Sequence, residues 1–118
     1  MAQESKAGEF VWHELLTPDA AKAKSFYDKV FGWKSRDMAM GPMTYTMFTR
    51  DGKDVAGMME MKGPDWKGVP PHWLQYVSVD DVDAAAKQAA KLGAKVMREP
   101  MDIPKVGRFA VLQDPGGA

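Results

Sequence analysis

The apolar residues of this chain change their spacing several times, and each change marks a new element. Residues 10–16, FVWHELL, are mostly apolar and rich in β formers, which suits a buried strand. The spacing then lengthens. Ala23, Phe26, Tyr27, Val30 and Phe31 recur at three and four residues and make one helix face. Thr17 suits the N-cap of that helix, Pro18 its first position and Asp19 the positive end of its dipole. Gly32 can close it in the left-handed conformation. Short strands are predicted over about 33–40, 44–50 and 55–61, with turns at 41–43 and 50–54. The segment KGPDWKGVPP, 62–71, is a loop, because its glycines and prolines break any ladder. A strand over 72–79 restarts the pattern. DDVDAAAKQAAKLG reads as a capped helix with Val82, Ala85, Ala89 and Leu92 inward and Gly93 at its end. Strands over 95–103 and 108–113 follow, and DPGG is a turn.

The order is therefore βαβββ followed by βαββ, an internal repeat. FGWK at 31–34 matches LGAK at 92–95 in position and character. Counting back from each helix-ending glycine, with one residue of slack in the loop between, brings Trp12 opposite Leu74. The second unit stops one strand short. A turn such as 114–117 normally leads into another strand, and disorder, truncation or strand donation by a partner would each account for its absence from this chain. The fold expected is α+β, one domain over 1–118, with units at about 9–61 and 72–118 joined by the loop 62–71.

Composition narrows the functions open to such a domain. The chain has 118 residues, a length typical of one domain, and 45% are hydrophobic, enough for a packed core. Formal net charge is zero, which removes the electrostatic footprint of a nucleic-acid or anionic-membrane binder. There is no cysteine, so disulfides, thiolate metal sites and cysteine nucleophiles are excluded. No apolar run is long enough to span a bilayer. The first eight residues lack the apolar stretch of a signal peptide, and a cytoplasmic location is expected.

Three segments carry a resemblance: ELLTPDAAKAKSFYDKVFGW (14–33), VSVDDVDAAAKQAAKLGAKV (77–96) and GRFAVLQDPGG (107–117). With this repeat, the chain resembles the glyoxalase/bleomycin-resistance/extradiol-dioxygenase group, the vicinal oxygen chelate superfamily. The resemblance implies paired βαβββ units forming a curved, incomplete barrel-like sheet, with helices outside and the site on the concave side. It also implies a homodimer. Metal-dependent members hold one divalent ion with ligands on the first and last strands of each unit, and others are metal-free binders. By this resemblance the ligand positions fall on Trp12, Leu74 and Glu60, with a fourth at about position 122, beyond the end of this chain. Indole and isobutyl groups offer a cation no lone pair. The expectation is that the metal site is absent, with Zn, Ni, Mn or Fe as the alternative, held by Glu60 and His72.

The remaining candidates follow from strand alternation, which sends His13 and Glu14 to opposite faces. His13 is expected on the helix side as a structural histidine. Glu14 shares the face of Trp12. There it either binds ligand, acts as a base if burial raises its pKa, or pairs with Arg108 or a lysine. Glu60 is a relic of a metal site, a hydrogen-bond acceptor for substrate, or a second candidate base. Met58 is expected on the face of Glu60, and Leu74 and Tyr76 on that of Trp12. Arg108 and Phe109 would complete the wall. The function expected is a metal-free binder of a small organic molecule, in an apolar cleft lined by Trp12, Glu14, Met58, Glu60, Leu74 and Tyr76. The alternatives are a lyase, isomerase or dioxygenase with displaced ligands, a metal-free catalyst with Glu14 or Glu60 as base, and a site completed only by assembly.

Overall fold

A computed structural model describes residues 6–40, 43–103 and 106–118. Two compact units are present, one of Phe10–Val77 and one of residues 6–9 with 78–118. The division falls just before Ser78, not in the loop 62–71 that separates the sequence repeats.

The first unit holds β1 (Phe10–Thr17), α1 (Ala20–Phe31), β2 (Lys34–Met40), β3 (Met43–Arg50), β4 (Lys53–Glu60) and β5 (His72–Val77). Its five strands form one open sheet in the order β2-β3-β4-β1-β5. β1 runs parallel to β4 and antiparallel to β5. The parallel pair is reached through α1, as a crossover requires. β3 and β4 are joined by Asp51 and Gly52, both with positive φ (52° and 77°), which gives a two-residue hairpin its twist. The turn expected at 41–43 lies largely outside the described residues. The loop 62–71 contains one short 3₁₀ turn, Pro64–Trp66.

The start of α1 differs from the sequence expectation. Thr17 ends β1, and Asp19 is the N-cap, its carboxylate accepting from the Lys22 amide at 3.0 Å. Thr17 instead accepts from the Asp19 amide at 3.3 Å. Pro18 thus sits before the cap, where its fixed φ turns the chain out of the strand. Gly32 closes the helix in the left-handed conformation, as expected (φ 73°).

The core lies between α1 and the sheet. Leu15, Phe48, Ala56 and Met58 are buried there, with Ala20, Ala23, Tyr27, Trp33 and Val55 packed on them. Tyr27 is the hub. It stacks on Trp33 at 5.5 Å and meets Phe48 edge-on at 5.7 Å. Trp73 of β5 donates its indole N–H to the Tyr27 hydroxyl at 3.1 Å. The predicted apolar face of α1 is wider than the face the sheet covers. Phe26, Val30 and Phe31 remain 48–55% exposed.

The second unit contains α2 (Val82–Lys91), β6 (Lys95–Ile103) and β7 (Gly107–Gln113). Asp81 caps α2 by accepting from the Ala84 amide at 3.1 Å. Ala86, not Leu92, is its buried residue; Leu92 is 67% exposed, because it lies past the last helical turn. β6 and β7 form a two-stranded antiparallel sheet. The described chain is thus α+β, with seven strands and two α-helices, and no described helix is long and apolar enough to cross a membrane.

Phe48 is fully buried at the centre of the first unit's core. Phe48→Ala should lower unfolding free energy by about 3–5 kcal/mol, read by urea denaturation. A loss under about 1 kcal/mol would contradict this packing.

Candidate functional site

The register of the first sheet sorts the candidate residues onto its two faces. Glu14 pairs with Gly57 and Leu74, and Trp12 pairs with Tyr76. Met47 pairs with Gly57, and Tyr45 with Met59. Alternation therefore gathers Trp12, Glu14, Tyr45, Met47, Gly57, Met59, Leu74 and Tyr76 on the face away from α1. His72, opposite Leu16, shares that face.

Met58 and Glu60 are on the other face, contrary to expectation. Met58 pairs with Leu15 and fills the helix-side core. Glu60 follows at the same parity. Its Oε2 accepts from the Ala20 amide at the start of α1 at 3.0 Å, and Oε1 meets Lys62 at 2.9 Å. These partners hold its carboxyl below the ordinary range, the helix amide first and the lysine second. His13 has the expected parity but is exposed. Arg108 and Phe109 belong to the second unit. Arg108 forks onto Asp83 at 2.9 and 3.2 Å and also donates to Asp102 at 3.1 Å. Phe109 is half-buried and pairs with Met101 across the β6–β7 hairpin.

A polar network occupies the centre of the face away from α1. Glu14 is only 7% exposed, yet its carboxylate is satisfied. Tyr45 donates to Oε1 at 2.9 Å and Tyr76 to Oε2 at 3.1 Å. Trp12 donates its indole N–H to the Tyr45 oxygen at 2.9 Å. The chain of donors polarises in one direction, toward the carboxylate. Burial pushes the Glu14 pKa up, and the two tyrosine bonds oppose it without cancelling it. Burial, followed by the Glu14 charge, also pushes the Tyr45 phenol up, so it stays a proton donor. Among the described residues, neither Arg108 nor a lysine pairs with Glu14.

Sequence reasoning missed Tyr45. It reaches Glu14 by lying across β4, above Gly57. A Cβ at Gly57 would land on the Tyr45 hydroxyl and ring. A glycine inside a strand often marks such a close approach, and GMM within DVAGMME was the available signal.

Two cavities lie elsewhere. One of about 300 Å³ is lined by Ala20, Lys24, Asp37, Thr46, Glu60 and Lys62. The other, about 270 Å³, lies between α2 and β6 beside Ala86, Ala90 and Val96. In the first, Lys24 is paired with Asp37 at 2.9 Å, Thr46 with Asp37 at 2.7 Å and Lys62 with Glu60 at 2.9 Å. The Trp12–Glu14–Tyr45–Tyr76 face carries the buried, hydrogen-bonded carboxylate. Among the described residues, no three His, Asp or Glu side chains converge on one point.

Residues 9–118 match the family model described as the Glyoxalase/Bleomycin resistance protein/Dioxygenase superfamily. CFP32 of Mycobacterium tuberculosis, provisionally named a glyoxylase, is 45% identical over 97% of this chain. The anthracycline biosynthesis protein DnrV of Streptomyces peucetius is 36% identical over 94%. The chain spans only 43% and 45% of these relatives' lengths. A Streptomyces coelicolor methylmalonyl-CoA epimerase variant, solved with 2-nitronate-propionyl-CoA, shares the fold. Its TM-score is 0.58 at 16% identity, over 91% of this chain and 88% of that one.

Gly57→Ala should destabilise by about 1–3 kcal/mol, because the Tyr45 ring must leave Glu14. The same substitution should cost less in a Tyr45→Ala background. An equal cost in both backgrounds, measured by denaturation, would refute the close approach.

The Glu14 shift has a definite sign. Between its ordinary value of 4.5 and its higher folded value, the folded state keeps a proton that the unfolded chain has lost. Its contribution is thus fully present below the ordinary value and is lost as pH rises through the folded one. Asp37, Glu60 and Asp83, whose pKa values are lowered, act in the opposite sense but are common to wild type and Glu14→Gln. The stability of wild type relative to Glu14→Gln should therefore fall as pH rises from 4 into the neutral range. A difference independent of pH would contradict the shift.

Proposed function

Because the chain belongs to the glyoxalase/bleomycin resistance protein/dioxygenase superfamily, we propose that it binds a small organic molecule on the Trp12–Tyr76 face of its first sheet, without a metal. The observation that carries this reading is the closed hydrogen bonding of Glu14. Both carboxylate oxygens are taken by tyrosine hydroxyls, at 2.9 and 3.1 Å. A divalent ion needs several lone-pair donors aimed at one point. The two resemblance-assigned positions on this face carry the indole of Trp12 and the aliphatic Leu74, and Glu60 bonds the start of α1 on the opposite face. His72 holds its Nδ1 2.8 Å from the Pro70 carbonyl, which leaves Nε2 as its one candidate donor. This set does not fit a divalent ion. It does fit an apolar ligand: Trp12, Met47, Met59, Leu74 and Tyr76 are half-buried side chains offering flat or flexible contact area. The naming of DnrV for anthracycline biosynthesis supports an organic ligand. A cytoplasmic homodimer is part of the proposal.

A second reading is metal-free catalysis with Glu14 as the proton-accepting group. The upward shift of its pKa favours that reading, since a base poised nearer neutrality transfers protons more efficiently. Glu60 has no such shift upward and faces a helix amide.

The first test combines metal analysis with ligand screening. Protein purified without chelator should hold far less than one equivalent of Zn, Ni, Mn or Fe. In a thermal-shift screen of small organic molecules, a ligand at 100-fold its dissociation constant should stabilise by about 2.7 kcal/mol. Chelator should leave that shift intact, and Trp12→Ala should remove it. Near-stoichiometric metal whose removal abolishes the shift would overturn the proposal.

A further inference from the structure

We propose that the α1–β5 side of the first unit is the surface through which two copies of this chain pair, the α1 of each copy lying over the bare end of the other's sheet. The inference rests on the homodimer in the reading above and assigns it an interface.

The surface is defined by what α1 leaves uncovered. Within its own sheet the helix packs on Leu15 of β1, Phe48 of β3, and Ala56 and Met58 of β4. β5 lies beyond β1 and ends the sheet. Trp73 pairs with Leu15, so Trp73, Gln75 and Val77 point to the helix side of β5. All three are exposed. Phe10, opposite Val77, is exposed on the same side.

The helix continues this strip. Phe26 and Phe31 stand 5.0 and 6.0 Å from the ring of Tyr27, and Trp73 stands 5.6 Å from it. Tyr27 thus joins the exposed rings of α1 to the exposed ring of β5. Val30 lies one turn from Phe26 on the same flank. Phe10, Phe26, Val30, Phe31, Trp73 and Val77 are 37–68% exposed. Together they offer about 500–600 Å² of apolar surface, the upper end of what a monomer leaves in water.

Three features select a second copy as the partner. A stable pair takes about 800 Å² from each side, roughly two-thirds of it apolar at the centre, and this face supplies that amount. The face also complements itself. Phe26 and Val30 form a ridge, and the line from Trp73 to Val77 forms an open strip beside it. A twofold axis seats each ridge on the other copy's strip, as α1 already sits on β1 of its own sheet. A formal net charge of zero adds no repulsion between copies. Pairing on this side leaves the Trp12–Tyr76 face, on the other side of the sheet, open to ligand in both copies.

Sedimentation equilibrium of the full chain at about 1–100 μM tests the interface, and wild type should be dimeric at the upper end. Phe26→Asp buries a charge from each copy and should raise the dimer dissociation constant at least about 100-fold. Phe26→Leu, which keeps the apolar contact, should stay within about tenfold of wild type. Leu92→Asp, at an exposed apolar position of the second unit, should leave the dimer intact. Phe26 is more than half exposed, so Phe26→Asp should keep the wild-type circular dichroism. If it does not, Val30→Asp, equally exposed, carries the same measurement. A folded Asp variant that dimerises as tightly as wild type would overturn this interface and spare the homodimer. Equal weakening by Leu92→Asp would also overturn it. A wild-type chain that stays monomeric throughout would remove interface and homodimer together, leaving the ligand reading to its own test.

Discussion

β1 has no free edge. β4 holds one side in parallel and β5 holds the other antiparallel, so every residue of FVWHELLT must be accommodated on one face or the other. That constraint organises the first unit. Leu15 goes toward α1 and joins Phe48, Ala56 and Met58 in an apolar core. Glu14, its neighbour, must go the opposite way and is buried all the same. A carboxylate removed from water costs several kcal/mol unless hydrogen bonds replace those it loses. The sheet meets that demand with two phenols, Tyr45 from one side of β1 and Tyr76 from the other.

The two phenols reach Glu14 by different routes. Tyr76 comes from β5, the strand paired directly with β1. Tyr45 comes from β3, two strands away, and must cross β4. It can cross only where β4 lacks a side chain, and Gly57, paired with both Glu14 and Met47, is that place. The repeat gives this arrangement a further regularity. Trp12 and Glu14 correspond to Leu74 and Tyr76 in the sequence repeat. In the antiparallel pair Trp12 faces Tyr76 and Glu14 faces Leu74, so the register is symmetric about His13 and Gln75. Equivalent positions of the repeat thus carry an acid and the phenol that satisfies it.

Membership of the superfamily establishes the scaffold and leaves the chemistry to the site. At 16% identity the epimerase likeness concerns the fold alone. The chain spans less than half the length of these sequence relatives, so their whole activities do not carry over to it.

Periodicity, with cap and turn residues, located both helices and the seven strands of the described chain to within a few residues, because burial on one face imposes period two on strands and 3.6 on helices. The family signature and the shared face of Trp12, Glu14, Leu74 and Tyr76 were legible for the same local reason. Which strands pair, and in what register, depends on contacts distant in sequence. That register sent Met58 and Glu60 to the helix side, where expectation had them beside Trp12. It drew β5 into the first unit's sheet, and it carried Tyr45 over Gly57 to Glu14. Alternation fixes which residues share a side of their own strand; only the assembled sheet decides which side meets the helix and which distant side chain completes a buried charge.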